Sequence, residues 1–125
     1  MGHLALCLLL SPMFSFGRYH PIHQGSVPIT GDYTPAQIQK AITKALINRG
    51  WQVTARKSGE VLSTLFIRRH MAKIRIIYDA DAVRLEYVDS FNLGYRKHER
   101  KGPLIHRNYN NWIRNLEKDI QRFLI

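Results

Sequence analysis

Acidic residues are scarce in this chain: 9 Asp and Glu stand against 19 Lys and Arg in 125 residues, a formal charge of +10. Asp79, Asp81 and Asp89 are too scattered to assemble the oxygen-rich set that calcium needs. Cysteine is scarcer still. The single Cys7 excludes a disulfide within the chain and any metal site built on thiolates. His20 and His23 lack a third ligand nearby and read as solvated loop residues, so no metal and no cofactor are expected. No apolar run approaches the ~20 residues of a membrane-spanning helix, and no transmembrane helix is predicted. There is no Gly-x-Ser-x-Gly element around Ser90, so Ser90, His106 and Asp119 share the residue types of a hydrolytic triad and nothing more. Internal repeats and low-complexity tracts are absent. These absences argue against an enzyme.

What is present is an ordinary folding composition. Hydrophobic residues make up 45% and charged residues 22%, and the length suits one two-layer core. The apolar stretch "HLALCLLL", followed by "SPMFSFG", has the length of a secretory signal's apolar region. Ser15 and Gly17 supply small residues two apart, which places a mature start at Arg18. The positive residues that usually precede such a run are missing. Acylation at Cys7 would need a small residue at position 6, where Leu6 stands, and packing of the segment on the domain is the remaining alternative.

The expected organisation is a signal peptide over 1–17, a linker or extended arm over 18–32, and a single α+β domain over 33–125. Thr34, Pro35 and Gly50 punctuate a first helix whose apolar face is Ile38, Ala41, Ile42, Ala45 and Leu46. Four strand-like segments follow, at 51–56, 61–70, 72–79 and 83–90. Trp51, Val53 and Ala55 alternate in the first; Ala72, Ile74, Ile76 and Tyr78 point inward in the third, and Val83, Leu85 and Tyr87 in the fourth. The second has no clear phase. A basic loop (91–104) leads to a last helix, capped by Asn108, with Tyr109, Trp112, Ile113, Leu116, Ile120 and Phe123 on one stripe. The pattern predicts a two-layer α+β sandwich of order α-β-β-β-β-α, a four-stranded antiparallel meander with both helices on one face.

"YVDSFNLGY" (87–95) followed by "IHRNYNNWIRNLEKDI" (105–120) resembles the signature of a family of small uncharacterised exported proteins and lipoproteins of Gram-negative bacteria. Its elements are Ser-x-Asn-Leu-x-Tyr and then His-x-x-Tyr-Asn-x-Trp-x-x-Asn-Leu-x-x-Asp-Ile. "AQIQKAITKALINRGWQV" and "RRHMAKIRIIYD" extend the likeness to about 33–124. Asn111 stands where the family commonly has Arg, and the N-terminus lacks the family's usual clean signal or lipobox. The resemblance implies an envelope location and the helix–four strands–helix layout, with no activity attached.

Two candidate surfaces emerge. Asn92, Tyr95 and Asn110, with His106 and Tyr109, could line a polar pocket at the start of the last helix, where free N–H groups favour an anion. The competing reading is a buried network bracing the loop on the helix. Arg56, Lys73, Arg75 and Arg84 are expected on the open face of the sheet, joined by Arg96 and Lys97 from the loop. The leading expectation is therefore a periplasmic or envelope binding or structural module whose partner is an anionic envelope component or a protein. The alternative is a cytoplasmic nucleic-acid-binding protein, which export would rule out. That mode needs exposed aromatics, and Phe66 is the one candidate. The open face also offers a self-association surface, without deciding the oligomeric state.

Overall fold

The structure, a computed structural model, describes residues 17–125. The signal peptide expected over 1–17 lies, but for Gly17, outside the described residues. Among those residues the chain order is β1 (Tyr19–Pro21), β2 (Gly25–Pro28), α1 (Pro35–Asn48), β3 (Gln52–Lys57), β4 (Glu60–Ile67), β5 (His70–Tyr78), β6 (Ala82–Phe91), β7 (Arg96–His98), β8 (Gly102–His106) and α2 (Arg107–Phe123).

The α+β class and the antiparallel pairing are as expected, but the four-stranded meander is not the whole sheet. The strands form a five-stranded sheet, β2-β6-β5-β4-β3, and a three-stranded one, β1-β8-β7. Four strands come from segments read as arm and loop. Each has 3 to 5 residues, too short to show a period of two. Their partners are also remote: Tyr19 sits opposite His106, and Gly25 opposite Leu85. A Cβ at Gly25 would stand 2.7 Å from Ile113 and 2.9 Å from Leu85, so a glycine is what lets β2 lie so near α2.

Both helices cover one face of the large sheet. Thr34 and Gln37 close a capping box on α1, and Gly50 at φ 82° carries the chain out of it. Ile38, Ile42 and Leu46 of α1 and Ile113, Leu116 and Ile120 of α2 are buried with Ile74, Ile76, Val83 and Leu85 of the sheet. The cap of α2 is His106 rather than Asn108, because β8 runs to His106 and the helix starts at once.

Two bulges set which side chains face which way. Between Val53 and Ala55 the β3 register shifts, leaving Thr54 unpaired. Val53 and Arg56 then lie opposite Ser63 and Val61 on the helix side, and Ala55 opposite Leu62 on the open side. The expected placement of Arg56 with Lys73, Arg75 and Arg84 is thereby corrected. A second shift between Lys73 and Ile74 leaves Val88 of β6 unpaired, so that Asp89 and Phe91, opposite Lys73 and Met71, turn to the open face.

The helices are joined through one buried carboxylate. Asp119, 2% exposed, accepts from Arg49 Nε at 2.7 Å, Arg49 Nη2 at 3.1 Å and Asn48 Nδ2 at 3.1 Å. The hydrogen bonds from Arg49 hold its carboxyl below the ordinary carboxylate range. This contribution to stability is present above about pH 4 and is lost as the pH falls through the depressed folded value. Asp119→Ala is expected to lower the unfolding free energy by about 3 kcal/mol, since three donors lose their acceptor. Arg49→Ala, whose side chain is 40% exposed, should cost about 1 kcal/mol. Urea titrations of both variants at neutral pH check the ranking, and equal losses would contradict it.

Candidate functional site

The feature that stands out is one end of the large sheet, where β4 turns into β5 and β6 finishes. Cross-strand register sets Phe66 opposite Met71 and Met71 opposite Phe91, so three apolar side chains lie side by side on the open face. Phe66 is 65% exposed and Phe91 67%. Arg68 and Arg69, both exposed, form the turn between β4 and β5. Arg68 holds φ 55°, a left-handed conformation that glycine adopts at lower cost. Asn92, at φ 61°, ties the chain after β6 to this hairpin. Its Nδ2 donates to the Arg69 carbonyl at 3.3 Å, and its own carbonyl meets His70 Nδ1 at 2.8 Å. No Asp or Glu occurs in 66–73 or 90–98, so Arg68, Arg69, Arg96 and Lys97 make the hairpin and the following loop cationic.

The other side of the same end is lined with rings. His70 lies 6.4 Å from Trp112 and 6.5 Å from His106, and Tyr19 meets His106 edge-on at 5.8 Å. Arg96 covers the Tyr19 ring at 4.7 Å and donates to the Gly94 carbonyl at 3.0 Å. His106 Nδ1 accepts from Asn108 N at 3.1 Å, which requires that nitrogen to be unprotonated. Burial lowers its pKa from the usual value, and the cations Arg107 and Arg18 and the rings of His70 and His20 push the same way.

The expected polar pocket is not one place. Asn92 and His106 belong to the end just described, whereas Asn110 is buried and serves the N-terminal arm. Its Oδ1 accepts from His23 N at 2.9 Å and its Nδ2 donates to the Pro21 carbonyl at 3.1 Å. Tyr95 stacks on Tyr87 at 4.1 Å, and Tyr109 meets Tyr87 edge-on at 5.8 Å. The Tyr109 hydroxyl is buried with no hydrogen-bond partner among the described residues, and burial pushes its pKa far above the usual value. Ser90 Oγ bonds Tyr87 Oη at 2.7 Å, while Asp119 is taken by Arg49.

The open face itself is mixed in charge. Lys73, Arg75 and Arg84 share it with Glu60, Glu86 and Asp89. Arg75 reaches Glu60 at 3.4 Å, Glu86 lies opposite Arg75, and Asp89 opposite Lys73. Arg96 and Lys97 lie on β7, in the small sheet. Among the described residues no three His, Cys, Asp or Glu side chains are grouped to hold a metal, and no helix is long and apolar enough to cross a membrane.

Over the described residues, fold and site together define an α+β sandwich of two helices on a sheet, with an apolar, Arg-edged end to its open face. Compared with known proteins, the chain matches no family model, no curated protein and no solved structure.

The cap on α2 makes stability pH-dependent. A histidine whose folded pKa is lowered contributes stability that is present above the unfolded value of about 6.5 and is lost as the pH falls through the folded one. His106→Asn keeps a side-chain acceptor at the cap without the titration. Wild type is expected to lose stability relative to this variant as the pH drops below about 6.5, in thermal melts across that range. Parallel profiles would refute the assignment.

Proposed function

We propose that the chain is a small exported module of the cell envelope that rests on an anionic bilayer surface through the end of its sheet. The observation that carries this reading is the row Phe66–Met71–Phe91, in register with both Phe rings exposed and Met71 half-buried between them, beside the Arg68–Arg69 turn. Apolar side chains that can enter the headgroup boundary, edged by cations that meet lipid phosphates, form the usual chemistry of a surface-bound protein. The strained Arg68 supports it: an arginine is kept where glycine would be about 1 kcal/mol cheaper. Export is supported by the apolar N-terminal run and by the resemblance to exported Gram-negative proteins.

A second reading, single-stranded nucleic acid stacked on Phe66 and Phe91, has the exposed aromatics that such binding needs. A strand laid across the sheet would meet Glu60, Glu86 and Asp89, whereas a bilayer touching only the end would avoid Glu60 and Glu86. The membrane surface is therefore preferred.

Flotation with phosphatidylcholine vesicles, with and without phosphatidylglycerol, tests the choice. Binding is expected only with the anionic lipid and should fall as salt is raised. Phe66→Ser/Phe91→Ser should weaken it about tenfold or more. Arg68→Gly should stabilise the fold by about 1 kcal/mol and still bind more weakly. Equal binding to neutral vesicles would reject the proposal, as would a gel shift with an oligonucleotide at physiological salt and no flotation. In fractionated cells the product should be periplasmic and begin at Arg18; a full-length cytosolic product would reject export.

A further inference from the structure

The helix-covered side of β3 carries a second surface, which does not depend on the membrane reading. Between α1 and β3 runs a groove of about 580 Å³, within the range of small-molecule sites. The Thr54 bulge is what turns the Arg56 side chain to this side of the sheet. The two walls run in opposite directions, as the bond from Gln39 Nε2 to the Lys57 carbonyl shows. Arg56 therefore faces the first half of α1, and Trp51 and Val53 face its end.

Three cations line the groove. Lys40 and Arg56 stand at the first end, Lys44 sets its ammonium over the Phe123 ring at 4.6 Å, and among the described residues none of the three makes an ion pair. No Asp or Glu lines it. Toward the other end Ile47 is 65% exposed beside Asn48, and the groove continues past Val53 and Trp51 with Gln52 and Thr54 among its lining. Between the two ends lies Thr43, whose Oγ1 is buried with no hydrogen-bond partner among the described residues.

We propose that this groove binds a single-chain amphiphile with an anionic head, the head at Lys40 and Arg56 and the alkyl chain along Ile47 and Val53. Backbone amide NMR of the protein tests it, with sodium dodecanoate and lysophosphatidylglycerol below their micelle concentrations. Acetate, inorganic phosphate and dodecyltrimethylammonium are the controls. Saturable shifts are expected at Thr43, Ile47 and residues 53–56, with the tighter of the two amphiphiles telling a free fatty acid from a membrane-derived lipid. Lys40→Gln/Arg56→Gln should weaken binding at least tenfold at an unchanged melting temperature. Equal binding of dodecyltrimethylammonium, acetate or phosphate, or shifts confined to Phe66 and Phe91, would overturn the proposal.

Discussion

The architecture depends on a polar stripe along α2 that holds an arm some ninety residues away in sequence. Asn110 satisfies the His23 amide and the Pro21 carbonyl at once. Two turns later Glu117 accepts from the Ser26 amide at 2.8 Å and meets His23 Nε2 at 2.8 Å. The Arg107 amide donates to the Arg18 carbonyl at 2.8 Å. Buried backbone groups need partners, and β1 and β2 are too short to satisfy theirs by pairing alone. Remove the stripe and β2 loses the outer partner of an edge strand, while β1 loses its anchor beside the small sheet. Because that sheet ends in His106, the start of α2 and the Phe66–Phe91 end of the molecule are fixed by the same contacts.

Much of the covered core was legible from spacing. Thr34, Pro35 and Gly50 mark α1 correctly because caps are local chemistry, and the Tyr109–Ile113–Leu116–Ile120 stripe marks α2 for the same reason. Ile74, Ile76, Val83 and Leu85 point inward as an alternating strand requires. The register beyond the bulges was not legible. A single unpaired residue reverses every later side chain, and nothing in Val53-Thr54-Ala55 or Tyr87-Val88-Asp89 announces it. Arg56 and Phe91, one on each proposed surface, both lie past such a point. The arm was equally hidden, since "YHP" and "GSVP" become strands only through partners on β8 and β6.

Local rules are broken at a few places, and they coincide with the surfaces that invite a ligand. Arg68 occupies a glycine conformation beside exposed Phe66, and Thr43 buries a hydroxyl with no partner among the described residues beside a groove lined by Lys40, Lys44 and Arg56. Such departures persist where a fold has another use for the residue. Tyr109 is different: its hydroxyl, without a partner among the described residues, sits in the core against Tyr87 and away from both surfaces. The expected mature start, Arg18, falls one residue before β1, so cleavage there would leave the whole arm attached.

Native-state hydrogen exchange tests the role of α2 most directly. If its polar stripe makes the arm part of the core, the amides of Ile22, His23, Ser26 and Val27 should open with the same free energy as those of Leu85 and Ile113. In Asn110→Ala/Glu117→Ala the arm amides alone should exchange much faster. An arm that already exchanges freely in the wild type, while α2 and β6 stay protected, would contradict the account.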